Sequence, residues 1–525
     1  MKRPNVMIVL NDDMGYSDIG CYGGEIETPN LDRLAAGGVR FSQFYNTARC
    51  SPSRASLLTG LHPHQTGIGI LTDNDGPDGY PGNLNRNCAT IAEVLKADGY
   101  RTYMSGKWHL AHDIYKEKHT WPIQRGFDRF YGTLSGTSNY FRPLTLMRDN
   151  ENLDEEELPS DFYYTDAISD EAASFVEEHA AQHADSPFFM YVAYTAPHWP
   201  LHAKETDIAK YKGHFDEGWD SLREKRLTRL RECGILDDTS LLSDRDPTQP
   251  PWESAEHKDW LLRCMEVYAA QIDCMDQGIG TILHALEKTG QLENTLIVFL
   301  ADNGGCAEVL QEKLRERVKS KKVSPVVSRN GQDIRFGNRP DVMPGSEDSF
   351  QSYGIAWANL SNTPFRLYKH WVHEGGIATP FIVHWPERIG NAGEVVHTPW
   401  QLTDVVPTIL EITGAAYPES MNGHSLPPLE GDSFAPALEG RIASKGPLYW
   451  EHEGNSAIRI GEWKLVRNYP GPWELYNMKE DRSELKDLAE EYPDKVNEMR
   501  NLYDQWAQRC KVIPREQIVR SKQRK

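Results

Sequence analysis

Three apolar runs constrain the fold of this 525-residue chain more than any other feature. They occupy residues 6–10, 188–194 and 296–300, and each has the length of a strand that is buried on both faces. Helical patterns separate them, the clearest being a stripe over residues 261–286 in which apolar residues recur every three or four positions. This alternation predicts an α/β fold with a large, mostly parallel sheet sandwiched by helices.

Polar side chains follow the predicted strands at the points where the strands end. In open α/β sheets, ligands bind beyond the carboxyl ends of the strands, so side chains at these positions are candidates for one common site. These side chains form four sets: Asp12 with Asp13, Lys107 with His109, His198, and Asp302 with Asn303. Taken singly, each set would also fit a solvated loop.

A short helix is predicted to begin near Cys50, in the segment C-S-P-S-R-A-S-L-L-T-G. The serines of the segment can cap a helix, its proline suits a first helical turn, and Gly60 suits the position after the last turn. Cys50 would then lie beside free N–H groups and the positive end of the helix dipole, with Arg54 one turn further on. Two interpretations stay open at this point, a low-pKa thiolate and a buried structural cysteine.

The pattern of the chain changes near residue 440, which divides it into two predicted units. Strands alternate with helices over residues 1–440, the predicted catalytic domain, in which the polar segments 201–258 and 307–350 are expected to be insertions. Residues 441–525 contain short strands separated by turn residues, then a helical pattern and a basic tail. This second unit is predicted to be a small α+β subdomain with an antiparallel sheet.

Composition argues against several classes of partner. The formal net charge of −20 argues against nucleic acid and against an anionic membrane surface, and no apolar run approaches the length of a membrane span. The eight cysteines are scattered without zinc-type spacing, so neither a disulfide scaffold nor a zinc cluster is predicted. As written, the chain enters its first strand directly, which favours a cytoplasmic location; a periplasmic or secreted protein without its leader is the alternative.

The segment beginning C-S-P-S-R resembles the C-x-P-x-R signature of the sulfatase family. The motifs D-D, G-K-W-H-L, A-P-H-W-P and D-N-G and the segment around Lys369 extend this resemblance over nearly the whole chain. The chain looks most like bacterial arylsulfatases, whose fold is shared with alkaline phosphatases. The resemblance implies that a maturation enzyme converts Cys50 to formylglycine (3-oxoalanine), an aldehyde.

The resemblance also implies a divalent cation at the strand ends. Its ligands would be Asp12, Asp13, Asp302 and Asn303, with the modified Cys50 completing the shell. The four unmodified ligands are oxygen donors, which suit Ca²⁺ or Mg²⁺ and disfavour zinc. We expect Ca²⁺, because it tolerates irregular geometry better, with Mg²⁺ as the alternative.

The implied reaction is the hydrolysis of a sulfate monoester. Lys107 and Lys369 would hold the sulfuryl oxygens together with the cation, so that negative charge is neutralised as it develops. One hydroxyl of the hydrated formylglycine would attack sulfur, Asp302 would take its proton, and Arg54 would hold the charged diol.

The resemblance assigns the remaining steps to two histidines. His198, assisted by Lys369, would protonate the departing oxygen. His109 would remove the proton of the second hydroxyl, so that sulfate leaves and the aldehyde returns. A thiol has no second hydroxyl, which is the chemical reason for the aldehyde.

Two rival functions and the substrate stay open. A phosphate or phosphonate monoester hydrolase could use the same fold, and a non-catalytic binding protein could retain it. The acidic net charge favours a small substrate, either an aryl sulfate or a terminal sulfated sugar. Trp199, Tyr140 and Trp357 could line the mouth of the pocket and stack on a ring, or they could only pack in the core.

Overall fold

The computed structural model describes residues 3–72, 80–112, 114–116, 118–441 and 445–523. Its centre is a ten-stranded sheet in which five adjacent strands run parallel to one another. From one edge to the other, the strands are Val395–Val396, Val39–Phe41, Phe381–His384, Thr295–Ala301, Asn5–Asp12, Phe188–Pro197, Arg101–Gly106, Arg129–Thr133, Leu146–Arg148 and Glu151–Asn152.

The strand Asn5–Asp12 lies inside the parallel region and is buried along its whole length. It pairs in parallel with Phe188–Pro197 on one side and with Thr295–Ala301 on the other. Successive residues point to opposite faces, so Ile8 and Val9 enter different hydrophobic clusters. The three apolar runs of the sequence are therefore neighbouring strands, and their carboxyl ends lie at one edge of the sheet.

Helices cover both faces of the sheet, as predicted. One face packs against the two long helices Tyr164–Gln182 and Lys258–Lys288, and the other packs against shorter ones such as Cys50–Thr59. The remaining α-helices of the described residues are Pro29–Gly37, Pro63–Thr66, Ile91–Ala97, Glu205–Ile208, Gly218–Glu232, Leu314–Lys321, Gly354–Ser361, Glu374–Ile377, Val405–Thr413, Ala435–Leu438, Pro493–Arg509 and Arg515–Gln523. None of the helices in the described part of the chain is both long enough and apolar enough to cross a bilayer.

A separate four-stranded antiparallel sheet lies near the end of the chain, as the sequence predicts. Its apolar face, which includes Ile458 and Leu465, packs against Met499 and Trp506 of the helix Pro493–Arg509. The described residues also form three smaller sheets: Phe44–Tyr45 with Ala378–Thr379 and Trp400–Gln401, Arg335–Phe336 with Ser349–Phe350, and Ser420–Met421 with His424–Ser425. The strands of the C-terminal sheet are Leu448–His452, Asn455–Ile460, Trp463–Arg467 and Trp473–Asn477.

The polar segment 201–258 contains a helix, Gly218–Glu232, that its sequence pattern does not predict. Its inward face carries Arg226, which is fully buried and forms ion pairs with Asp18 and Glu25. A charged residue therefore occupies a core-facing position, and this hides the apolar period on which a helix prediction depends.

Candidate active site

Cys50 is the first residue of the helix Cys50–Thr59 and is almost fully buried. Gly60 ends this helix in a left-handed conformation with φ 69°, as expected for a residue without a side chain. The predicted serine cap is wrong, because Arg49 precedes the helix in an extended conformation and both serines of the motif lie inside the first turn. The first hydrogen bond of the helix runs from Ser53 N to the Arg49 carbonyl oxygen, so the N–H groups of Cys50 and Ser51 have no partner within the helix.

Arg54 joins three strand ends that are far apart in the sequence. Its guanidinium donates two hydrogen bonds to Asp302 Oδ2, from Nη2 at 2.8 Å and from Nε at 3.1 Å. Nη2 lies 3.5 Å from Asp12 Oδ2, and Nη1 donates to the carbonyl oxygen of Lys107 at 2.9 Å. The Lys107 ammonium is ion-paired with Asp12. All four side chains are fully buried, so the interior of the site is held by charge pairing.

Asp13 is the centre of a second group of contacts. Lys369 Nζ lies 2.6 and 2.8 Å from its two carboxylate oxygens, and Asn303 Nδ2 donates to Oδ1 at 2.7 Å. His198 Nε2 lies 3.4 Å from Oδ2, while Nδ1 lies 2.6 Å from the carbonyl oxygen of Trp199. A carbonyl oxygen only accepts, so Nδ1 carries a proton and Nε2 is the nitrogen that faces the site.

His109 lies beside this group in a conformation that its surroundings impose. Its backbone has φ 55°, in the left-handed region that costs free energy for a residue with a side chain. Its ring packs against Gly136, where a Cβ atom would lie 2.2 Å from two ring atoms. Within the described residues, its buried Nδ1 has no hydrogen-bond partner. The absence of a side chain at residue 136 therefore makes room for the ring.

Burial and neighbouring charges shift the pKa values of the carboxylates in opposite directions. For Asp12, burial raises the pKa, but Lys107, His198 and Arg54 together outweigh it and hold the pKa well below its usual range. For Asp302, burial and then the charge of Asp12 raise the pKa to about 7, although Arg54 opposes them. One carboxylate is therefore firmly ionised and its neighbour is basic enough to accept a proton near neutral pH.

The thiol and the two imidazoles are shifted mainly by burial. Burial raises the pKa of Cys50 although Lys107 and Lys369 oppose it, which is the opposite of what a low-pKa thiolate needs. Burial, with Lys107 next, lowers the pKa of His109 well below its usual value. Burial also lowers the pKa of His198. The thiolate interpretation of Cys50 therefore loses its electrostatic support.

The oxygen atoms at the strand ends fit a hard divalent cation. Asp12 Oδ1 and Asn303 Oδ1 are buried, and neither has a hydrogen-bond partner in the described part of the chain. Asp12, Asp13 and His198 each offer a ligand atom within 4.8 Å of the others. Buried polar atoms are normally paired, so unpartnered oxygens beside two carboxylates indicate a position for a cation.

Two family models match the chain. The model described as Sulfatase covers residues 4–415, and the model described as N-sulphoglucosamine sulphohydrolase, C-terminal, covers residues 365–510. The chain belongs to the sulfatase family. It is therefore a sulfuric ester hydrolase, and its family generally uses formylglycine and a divalent cation. The comparisons give no support to the phosphate or phosphonate alternative.

Relatives resemble this sulfatase over most of its length. An arylsulfatase of Klebsiella aerogenes is 34% identical over 463 residues, which cover 85% of this chain and 94% of the relative. An uncharacterized sulfatase of Schizosaccharomyces pombe is 32% identical over 95% of this chain and 92% of its own. The crystal structure of Ps i-CgsB in complex with k-i-k-neocarrahexaose has a TM-score of 0.67 and 27% identity, over 96% of this chain and 93% of that one.

A cavity of about 690 Å³ leads from the surface of this sulfatase to the predicted site residues. Cys50, His109, His198 and Lys369 line it, and the helix Leu314–Lys321 contributes to its outer wall. The other predicted residues lie behind these in the buried network. The structure thus brings all ten sequence-predicted residues to one edge of the sheet.

Three further residues form a wall of the cavity, and the sequence analysis missed two of them. Glu308 accepts a hydrogen bond from Trp199 Nε1 at 3.1 Å and pairs with Arg49 Nη1 at 3.0 Å. Trp199 was a candidate for the pocket mouth and lines the cavity. Arg49 and Glu308 carried no signal beyond their positions, one residue before Cys50 and a few residues after a strand end.

The other two candidate aromatics for the pocket mouth belong to the core. Tyr140 and Trp357 are fully buried. The Tyr140 hydroxyl donates to the carbonyl oxygens of Thr195 and His198 at 2.9 and 2.8 Å, so it supports the turn that carries His198. Trp357 Nε1 donates to a backbone carbonyl oxygen, and its ring packs among other aromatic rings.

Proposed function

We propose that this sulfatase hydrolyses small sulfate monoesters, either aryl sulfates or terminal sulfated sugars, with a formylglycine made from Cys50 by a maturation enzyme. The thiol at residue 50 stands in for that aldehyde. The observation that carries the proposal is the position of Cys50, at a helix N-terminus on the floor of the cavity and beside the buried cationic and carboxylate groups. When hydrated, the aldehyde supplies a hydroxyl that attacks sulfur and a second hydroxyl whose deprotonation releases sulfate.

We propose Ca²⁺ as the cation, held by Asp12, Asp13, Asp302, Asn303 and the modified residue 50. The unpartnered oxygens of Asp12 and Asn303 support a hard cation, and the donor set favours Ca²⁺ or Mg²⁺ over zinc. When bound, the cation supplies Lewis-acid stabilisation of charge on the sulfuryl oxygens. Its charge would also offset the carboxylates that now hold the ammonium groups of the two site lysines.

Those lysines would then bind the substrate. Lys107 and Lys369 each end in a buried ammonium that is paired with a carboxylate. Buried ammonium groups stabilise developing negative charge more strongly than they would in solvent, because the local dielectric constant is lower. We place both against the sulfuryl oxygens, where their positive charge opposes the net acidic field of the chain.

Proton transfer at the attacking hydroxyl would be the role of Asp302. Its raised pKa, about 7, suits a group that accepts a proton near neutral pH. The two hydrogen bonds from Arg54 hold the Asp302 carboxylate in place through Oδ2. The other oxygen, Oδ1, accepts a hydrogen bond from the backbone N–H of Asp13 at 3.3 Å.

The two histidines suit opposite roles. His198 Nδ1–H is used by a backbone carbonyl, so His198 can donate from Nε2 only as an imidazolium. Burial lowers the pKa of His198, and the nearby Asp13 opposes this and favours the charged form. We place it as the acid that protonates the leaving oxygen. His109 is neutral because burial lowers its pKa, so it is free to accept a proton. We place it as the base that releases sulfate.

The test of the proposal measures modification and turnover on the same samples. Mass spectrometry of the peptide that contains residue 50 gives the fraction converted to the aldehyde, and an aryl sulfate assay gives kcat. We expect kcat to rise in proportion to the converted fraction, and Cys50→Ala to be inactive. Full turnover by a preparation that is entirely thiol would overturn the proposal.

Two comparisons define the substrate. The values of kcat/KM on an aryl sulfate and on the matching aryl phosphate separate the two ester classes, and we expect the sulfate to be preferred by orders of magnitude. A screen of aryl sulfates against sulfated mono- and oligosaccharides then identifies the organic part. The cavity volume is within the range of about 300–1,000 Å³ that is typical of small-ligand sites, which supports a small substrate.

A further inference from the structure

A second group of metal-ligating side chains lies outside the active site. His370 directly follows Lys369, while His452 and Glu453 lie at the turn between the first two strands of the C-terminal sheet. Each of the three offers one ligand atom, and these atoms lie within 4.8 Å of one another. None of the three takes part in the proposed reaction.

Two distances between the ligand atoms can be compared with those of a tetrahedral zinc site. His370 Nδ1 lies 3.2 Å from Glu453 Oε2, and His452 Nε2 lies 3.9 Å from the same oxygen. Zinc bonds of about 2.0–2.1 Å at tetrahedral angles place neighbouring ligand atoms roughly 3.3 Å apart. The three side chains could therefore bind one ion with small adjustments of their rotamers.

The buried ring of His452 is the feature that indicates a bound ligand. It is 1% exposed, and neither of its ring nitrogens has a hydrogen-bond partner among the residues that the structure describes. A neutral imidazole has one donor and one acceptor, and burying both without partners is unfavourable. Burial also lowers the pKa of His452 well below its usual value, so the ring is in the neutral form that binds metal.

The surroundings of Glu453 favour coordination through one oxygen. Arg515 Nη1 lies 2.7 Å from Oε1, which orients the carboxylate and leaves Oε2 on the side of the two histidines. The His370 side chain is 33% exposed, so an ion and a water molecule can reach the cluster from solvent. His370 and Glu453 both have left-handed backbones, with φ 95° and 52°, which is a cost that a bound ion would help to offset.

We infer that His370, His452 and Glu453 form a Zn²⁺ site, with water as the fourth ligand, that ties the turn of the C-terminal sheet to the segment of Lys369. Two imidazoles and one carboxylate favour zinc, unlike the oxygen-rich set proposed for Ca²⁺ at the active site. A third group, formed by His62, Glu430 and Cys510, has suitable residue types. There, however, both carboxylate oxygens of Glu430 are already hydrogen-bonded to Arg509.

The test counts zinc on the full-length enzyme with its active site saturated by Ca²⁺. The protein is incubated with Zn²⁺, desalted and analysed by mass spectrometry of the metal, and affinity is measured by competition with a zinc indicator. We expect one tightly held zinc per chain in the wild type. His452→Gln and His370→Ala should each weaken binding by at least about tenfold. His62→Gln is the matched control and should retain the wild-type amount.

Substitution by Co²⁺ gives a second readout, because a tetrahedral site with nitrogen ligands produces visible absorption that should disappear in His370→Ala. His370 is partly exposed, so this variant decides the question if the buried His452 variant does not fold. Retention of no zinc by the wild type, or unchanged zinc affinity in His370→Ala and His452→Gln, would overturn the inference. In that case, the cluster is an ion pair beside a buried neutral histidine.

Discussion

Two buried carboxylates of this sulfatase, Glu374 and Asp12, differ in how completely their oxygens are paired. Between the main α/β region and the C-terminal sheet, both oxygens of the fully buried Glu374 have partners. Lys464 donates to Oε1 at 2.9 Å, while Tyr45 and Arg482 donate to Oε2 at 3.0 and 3.1 Å. At the active site, by contrast, one oxygen of Asp12 is buried without a partner in the part of the chain that is described.

The difference separates a structural role from a chemical one. Pairing both oxygens of a buried carboxylate offsets its desolvation and holds two parts of the chain together. Leaving an oxygen unpaired costs stability unless something else binds to it, and functional sites are where such a cost is retained. The Glu374 cluster is therefore expected to control stability, and the strand-end cluster is expected to control turnover.

Removal of the cation is expected to have the largest effect. Treatment with a chelator should abolish aryl sulfate turnover, and added Ca²⁺ should restore it more fully than Mg²⁺, because the oxygen-rich ligand set loses its central charge. The measurement is kcat after dialysis against chelator and after each addition. Full activity in metal-free protein, verified by elemental analysis, would contradict the interpretation of the unpartnered oxygens.

Asp12→Asn should reduce kcat/KM on an aryl sulfate by about a thousandfold, since loss of metal charge stabilisation costs several kcal/mol and each 1.36 kcal/mol is tenfold. The variant keeps the size of the side chain and removes one charge that holds Lys107. Circular dichroism should show a folded protein. A fall of less than tenfold would place Asp12 among the structural groups instead.

Glu374→Gln tests the other cluster. Removing one charge from this buried network should lower the free energy of unfolding by about 3–5 kcal/mol, because Arg482 loses its carboxylate partner and Lys464 keeps only Glu484. The measurement is denaturant unfolding. Glu177→Gln, which breaks the exposed pair with Lys288, is the control and should cost less than about 1 kcal/mol. Equal costs for the two variants would remove the proposed distinction.

Gly136→Ala is expected to have the smallest effect. The added methyl group would lie against the ring of His109 and displace it, so kcat should fall by about tenfold to a hundredfold. The thermal unfolding temperature should change little, because the atoms nearest the new methyl group belong to the His109 side chain, which can move. Gly390→Ala, with no atom within 4 Å of the added Cβ, is the control. Unchanged kcat would exclude His109 from the rate-limiting step.

Much of the active-site geometry was predictable because it follows from sheet topology. Parallel strands end at one edge, so polar residues after the runs at 6–10, 188–194 and 296–300 had to converge there. The helix at Cys50 was equally local, since a proline in its first turn and a glycine at its end define it. Its cap was mispredicted because capping depends on the conformation of the preceding residue.

Other features depended on contacts that no local pattern carries. Tyr140 and Trp357 could equally have lined a pocket or packed in the core, and only the path of the surrounding chain buries them. Glu308 contacts Trp199 and Arg49, but it lies in a segment whose sequence has no apolar period, so no local pattern predicts these contacts. The helix Gly218–Glu232 faces the core with an arginine whose partners come from elsewhere in the chain.

The sequence by itself determined the α/β class, the strand ends that carry the site and the family signature at Cys50, because each is written in consecutive residues. Only the tertiary structure decided which buried carboxylate oxygens have partners. Ion pairs between residues that are hundreds of positions apart depend on how the whole chain packs, and no rule of sequence spacing predicts them. That pairing distinguishes Glu374, both of whose oxygens have partners, from Asp12. It also distinguishes the paired His62 group from His452, whose ring nitrogens have no hydrogen-bond partner among the described residues.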